Sequence, residues 1–185
     1  MTRETALIAA AKRGSVSAFT DLVGEYREGL LRFLVTRAAS YADAEDALQD
    51  TLINAYRYIG SYDAKWRFST WLYRIAINNL SKMRNVDTDS NVEVDDLSEE
   101  EGGPLEQCIA AAERENLWLS ARKVLNEEVY TALWLRYVED MSVKDIAAIL
   151  ERSISWTKVN LLRARNELDS ELNKAPLAKT RKAYG

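Results

Sequence analysis

Apolar residues recur three and four positions apart through most of this chain, the spacing that lines one face of an α-helix. Residues 2–13 form the first predicted helix, ended by Gly14. Ser15 or Ser17 caps a second, in which Phe19, Leu22, Val23, Tyr26, Leu30, Leu31, Phe33 and Leu34 repeat as far as about Ala39. Gly24 and Gly29 lower its propensity without ending it. After a connection at 40–42, Asp43 is the expected N-cap of a third helix, with Glu45 and Asp46 in its first turn. Its inner stripe is Ala44, Ala47, Leu48, Thr51, Leu52, Ala55 and Ile59, and Gly60 closes it. Ser69 is the expected cap of a fourth, with Leu72, Ile75, Ala76, Leu80 and Met83 inward. Thr70, Arg74, Asn78 and Lys82, four residues apart, share a polar, basic row on its other side.

The pattern then lapses. Residues 86–107 (VDTDSNVEVDDLSEEEGGPLEQ) are acidic, poor in apolar residues and broken by Gly-Gly-Pro, the composition of a flexible linker. Periodicity returns over about 106–124 and again over 127–139. Ser142 then caps a short helix with Val143, Ile146, Ala147 and Leu150 inward and Asp145 as a capping-box acid. A break at 151–153 precedes a longer helix from about Ser155 to Leu172, with Thr157, Leu161, Ala164 and Leu168 as its inner row. Short helix, tight turn and longer helix ending in RAR make a helix-turn-helix pattern, which binds DNA in some proteins and is a plain helical hairpin in others. The expected fold class is all-α: two small helical domains, 1–85 and 108–185, joined by the flexible acidic linker 86–107.

Seven glycines and two prolines in 185 residues agree with a mostly helical chain. No apolar run approaches the roughly 20 residues that span a bilayer, so no membrane insertion is expected. The single cysteine, Cys108, excludes an internal disulfide framework and suits the cytoplasm. Histidine is absent, which removes the commonest general base and the commonest metal ligand together. No Gly-rich phosphate loop is present either, so neither catalysis nor a cofactor is expected.

A net charge of −4 speaks against a nucleic-acid partner until it is divided along the chain. Residues 1–85 carry twelve basic and nine acidic side chains, and 108–185 carry thirteen and eleven. All nine charges of the linker are negative. Two mildly basic domains flank an acidic tether.

Chemistry concentrates at the junction of the third and fourth helices. Tyr56, Tyr58, Tyr62, Trp66, Phe68, Trp71 and Tyr73 are seven of the seventeen aromatics, packed into eighteen residues and interleaved with Arg57, Lys65, Arg67 and Arg74. Aromatic faces beside cations suit an unstacked nucleic-acid strand, whose bases stack on rings while its phosphates seek positive charge. About half of these rings, Trp71 among them, lie on an apolar helical face and are core. Tyr62, Trp66 and Phe68 belong to the interhelical loop, where burial is less obligatory.

The order DAEDALQDTLINAYRYI, SYDAKWRFSTWLYRIAIN, acidic linker, LWLRYVEDMSVKDIAAIL and LLRARNEL resembles the small two-domain sigma factors of bacteria, the extracytoplasmic-function class of the sigma-70 family. The resemblance runs from about Ser15 to Leu168, and FSTWLYRIAIN is its most specific phrase. It implies a sigma factor that gives RNA polymerase its promoter specificity. Residues 1–85 would be the region 2 domain and 108–185 the region 4 domain. Asp43, Asp46, Gln49 and Asp50 would dock on the clamp of the RNA polymerase core. Tyr62, Lys65, Trp66, Arg67, Phe68, Arg74, Asn78 and Lys82 would melt the −10 promoter element and hold its single strand. Tyr62 falls where the family places the aromatic of the loop receiving a flipped base, and Asn78 where it places an Asn beside that base. Ser153, Ser155, Trp156, Lys158 and Arg163 would meet the duplex −35 element. An anti-sigma factor is a further implied partner. The chain departs from the family at Glu151-Arg152, where the turn usually has a small position followed by an apolar one, and at Leu125-Asn126, where Leu-Pro is common.

Two other readings can be set against this one. A stand-alone helix-turn-helix regulator would leave the aromatic loop without a task. A carboxylate metalloenzyme would use Asp43, Glu45, Asp46 and Asp50, but helical-bundle sites of that kind are built on Glu-x-x-His repeats.

Overall fold

A computed structural model describes residues 2–86 and 117–174, and these residues are helical with no strand among them. The linker 86–107 (apart from Val86, the last residue of a helix), Cys108 and the expected helical residues 106–116 lie outside the described residues. The described elements fall into two compact units. One holds α1 (Arg3–Lys12), α2 (Val16–Gly24), α3 (Arg27–Val35), α4 (Tyr41–Tyr58), a 3-10 turn (Ile59–Ser61), α5 (Phe68–Val86) and, from Lys144 on, α8 (Val143–Ile149). The other holds α6 (residues 117–124), α7 (Glu127–Tyr137) and α9 (Ile154–Lys174). Among the described residues no helix is long and apolar enough to cross a membrane.

Helix ends follow local chemistry. Thr2 caps α1 by accepting from the Thr5 amide, and Gly14 at φ 94° takes the left-handed position that ends it. Ser15, not Ser17, caps α2. The second helix expected from the sequence is two: it stops at Gly24 and restarts at Arg27. The break lies beside Tyr26, whose amide turns back to the Val23 carbonyl at 3.0 Å while its hydroxyl reaches Glu4. Ser40, not Asp43, caps α4. Its Oγ accepts from the Asp43 amide at 3.1 Å and donates to the Asp43 carboxylate at 2.7 Å. Asp43 therefore sits three residues inside, where a carboxylate meets the positive end of the helix. α5 likewise starts at Phe68, one residue before the expected cap Ser69.

In the first unit α4 packs against α3 and α5. Leu30, Phe33, Leu34, Leu48, Leu72 and Tyr73 form a fully buried centre, with the Phe33 and Tyr73 rings edge-on at 5.2 Å. Arg37 is buried too: it donates to the Phe33 carbonyl at 2.9 Å and lies 3.7 Å over the Phe33 ring. In α8, Asp145 is buried and accepts from the hydroxyl of Thr70 at 3.0 Å.

In the second unit every residue from Val129 to Leu135 of α7 is buried. Asn126, standing where the family often has proline, caps this helix by accepting from the Val129 amide at 3.0 Å. Trp118 lies 4.9 Å from Trp134 and 5.8 Å from Tyr130, ring centre to ring centre. The expected inner row of α9, Thr157, Leu161, Ala164 and Leu168, is buried throughout.

Candidate nucleic-acid interface

The candidate residues occupy three surfaces. The first is the outer side of α4. Its inner face is sealed by Ala44, Ala47, Leu48, Thr51 and Ala55, so the 3.6-residue period turns Asp46, Gln49 and Asp50 to solvent and leaves Asp43 half-buried. Asp46 and Gln49 also line a groove of about 760 Å³ between α2 and α4, floored by Phe19, Val23 and Leu48. Val16 and Ile53 stand exposed along it. An acidic edge beside an apolar trough is a surface on which a partner helix can lie. Among the described residues no three acidic or Cys side chains are grouped to hold a metal ion, the four carboxylates at the start of α4 included.

The second surface is the aromatic loop with the first turns of α5. Here the rings divide differently from the expectation. Tyr62 and Phe68 are buried, at 7% and 1% exposure, and are not open stacking platforms. They join a cluster in which Tyr62 meets Phe68 at 5.6 Å and Trp71 at 5.5 Å, and Tyr26 meets Phe68 at 5.5 Å. The Tyr62 hydroxyl donates across the loop to the Trp66 carbonyl at 2.7 Å. Burial pushes its pKa up. From α1, the Lys12 ammonium donates to the Tyr62 carbonyl at 2.6 Å and stands 5.4 Å from the ring.

What the loop offers outward is Lys65, Arg67 and part of Trp66. Asp63 binds the Lys65 amide at 3.0 Å and its ammonium at 2.9 Å, which holds the carboxyl below its usual range. Lys144 stands 5.4 Å from the Trp66 ring. The polar row on α5 is not uniform. Thr70 is buried against Asp145, Arg74 is exposed and pairs with Glu151, and Asn78 is exposed. Lys82 lies in α5 with its side chain outside those described.

The third surface is the start of α9. Ser153 is its cap, accepting from the Trp156 amide at 3.0 Å, while its carbonyl takes the Thr157 hydroxyl at 3.1 Å. Ser155, Lys158 and Arg163 are exposed and Trp156 is half-buried, with the Arg152 guanidinium 5.4 Å from its ring. Arg152 also grips Glu128 with two hydrogen bonds, at 2.6 and 3.1 Å. Arg165, not among the expected site residues, is exposed on the same helix as Lys158 and Arg163, and the RAR ending is its signal in the sequence.

Residues 22–85 match the model of sigma-70 region 2, and residues 121–168 match that of sigma-70 region 4. RNA polymerase sigma-H factor of Pseudomonas aeruginosa is 31% identical over 177 residues, covering 90% of this chain and 92% of that protein. The ECF RNA polymerase sigma factor SigW of Bacillus subtilis is 27% identical, covering 87% and 92%. Among solved structures, the sigma factor RpoE of Bartonella quintana, determined with the anti-sigma factor NepR, superposes with a TM-score of 0.68 at 25% identity over 87% of this chain and 99% of that one. CnrH, determined with the cytosolic domain of CnrY, gives 0.69 at 21% identity over 94% and 99%, which shows the shared fold.

Proposed function

The chain belongs to the extracytoplasmic-function class of the sigma-70 family, and we propose on that basis how its three surfaces divide the work of starting transcription. As a sigma factor it gives RNA polymerase its promoter specificity. The outer face of α4, with Asp43, Asp46, Gln49 and Asp50, docks on the polymerase core. The loop 62–67 and the exposed side of α5 take the non-template strand of the −10 element as it opens. Trp66 offers a ring face, Lys65, Arg67 and Arg74 attract phosphates, and Asn78 reads a base edge with its amide. Exposed Lys158 and Arg163 on α9 hold the duplex at −35 through its phosphates.

One observation carries this reading above a stand-alone regulator. Cations and a half-open ring gather on a loop braced from behind by a buried aromatic cluster, a construction that a duplex-binding helix-turn-helix does not need. The chain itself does no chemistry in this scheme, works in the cytoplasm beside the polymerase, and is held inactive by an anti-sigma factor, as the complex of RpoE with NepR suggests by analogy. The test is reconstitution. Purified chain added to polymerase core should co-elute with it and direct transcription from a subset of promoters, with permanganate-reactive thymines at −10. Failure to bind core would remove the proposal; core binding without strand opening would move the second surface to another task.

A further inference from the structure

α1 precedes the part of the chain matched by the region 2 model, which begins at residue 22. Yet it is fastened to the unit at three points. Tyr26 donates to Glu4 at 2.6 Å, Arg3 pairs with Glu25 at 3.4 Å, and Lys12 in its last turn donates to the carbonyl of Tyr62, fifty residues away. A charged donor at 2.6 Å makes a short, strong hydrogen bond. It falls on a residue whose side chain spans the loop, because the Tyr62 hydroxyl holds the Trp66 carbonyl. The rest of the loop is closed on itself: the Trp66 amide bonds the Asp63 carbonyl at 3.1 Å, and the Lys65 amide bonds the Asp63 carboxylate. At its near end it is tied to the body of the unit through Tyr62, by ring contacts, by the Tyr62 amide bonded to the Ile59 carbonyl, and by Lys12. At its far end the Trp71 amide bonds the Arg67 carbonyl at 3.2 Å and Lys144 stands by the Trp66 ring.

We propose that Lys12 is a positioning residue for strand capture: from α1 it fixes Tyr62, and Tyr62 fixes the segment that presents Lys65, Trp66 and Arg67. Tyr62 is then a brace behind the loop, not the surface on which a base stacks. The inference rests on the −10 reading of this loop, and its test separates the two.

The measurement is the affinity of reconstituted holoenzyme for a single-stranded oligonucleotide bearing the non-template −10 sequence of a promoter it transcribes, taken at several salt concentrations. If the parent holoenzyme does not bind this strand, the −10 reading fails and the inference falls with it. If the parent binds, Lys12→Met should bind about fivefold more weakly, with unchanged affinity for core and for −35 duplex and an unchanged salt slope. Lys12→Arg, which keeps a charged donor, should recover most of the loss. Tyr62→Phe should lose a similar amount, and the double variant no more than the weaker single, since both act through one brace. Parental affinity in Lys12→Met overturns the proposal. So does a loss that adds to that of Tyr62→Phe and comes with a salt slope shallower by about one, because Lys12 would then neutralise a phosphate directly. A loss shared by Lys12→Arg and matched by a lower unfolding midpoint would also overturn it, leaving Lys12 a purely structural residue.

Discussion

Asn79 on α5 accepts a hydrogen bond from Asn54 on α4 at 3.1 Å, and its own amide reaches the Thr51 hydroxyl at 3.4 Å. Thr51 in turn donates to the Ala47 carbonyl at 2.7 Å. This short polar chain fixes the register between α4 and α5.

The pair Asn78 and Asn79 therefore offers a sharp contrast between neighbours. Asn79→Ala strips partners from buried groups and should cost about 1–3 kcal/mol of stability. Asn78→Ala, on the exposed side, should change stability by less than about 0.5 kcal/mol. It should nevertheless reduce open-complex formation roughly tenfold, since an amide reading a base edge supplies about 1–3 kcal/mol. Urea unfolding and permanganate footprinting of both variants check the two halves.

Tyr26 supplies a pH dependence. Burial raises its hydroxyl pKa far above the ordinary value of 10.0, and the hydrogen bond to Glu4 raises it further. With the folded value above the unfolded one, the contribution to stability is complete below about pH 10 and drains away as pH rises from there towards the folded value. Urea midpoints of the parent between about pH 8 and 11 should fall more steeply than those of Tyr26→Phe. Parallel curves would mean that the hydroxyl is not shielded.

Spacing along the chain decides how much of this structure is legible in the sequence. The row Thr157, Leu161, Ala164 and Leu168 can be assigned inward because three-and-four spacing alone selects one side of a helix. Ser40 and Asp43 are both good caps, and sequence cannot rank two oxygen-bearing side chains three residues apart when each fills one half of the same motif. A loop position alone makes Tyr62 look open. Its burial comes from convergence with Tyr26, Phe68 and Trp71, all of them outside the loop, which no local pattern records. The Lys12–Tyr62 bond is illegible for the same reason.

Glu151, in the turn before α9, has φ 55°, a left-handed conformation that a side chain with a Cβ adopts at a cost. The family's small residue at this point of the turn now has a physical reason. Glu151→Gly should stabilise the protein by about 0.5–1 kcal/mol, since the exposed ion pair it gives up with Arg74 is worth little. A thermal midpoint at or below the parental one would show that the pair matters more than the backbone.

Neutralising Lys158 and Arg163 together should weaken binding to −35 duplex and lower the slope of log affinity against log salt by about 0.9 for each phosphate left without its cation. Circular dichroism should be unchanged, because neither side chain belongs to the buried row of α9. An unaltered slope would send the search for the DNA-facing side elsewhere on the second unit, starting with Arg165.

α4 buries three alanines at 0% exposure, Ala44, Ala47 and Ala55, so its backbone approaches its neighbours closely there and nothing larger fits at those three positions. On its far side Asp46, Gln49 and Asp50 are exposed. Mutational tolerance should therefore split along the helix axis. Substitutions inward are filtered by folding, whatever the promoter or polymerase. Under the docking proposed for this face, those at Asp46, Gln49 and Asp50 are filtered by the partner. Such a helix lets its affinity for a partner be retuned one outward side chain at a time, without re-solving the packing underneath.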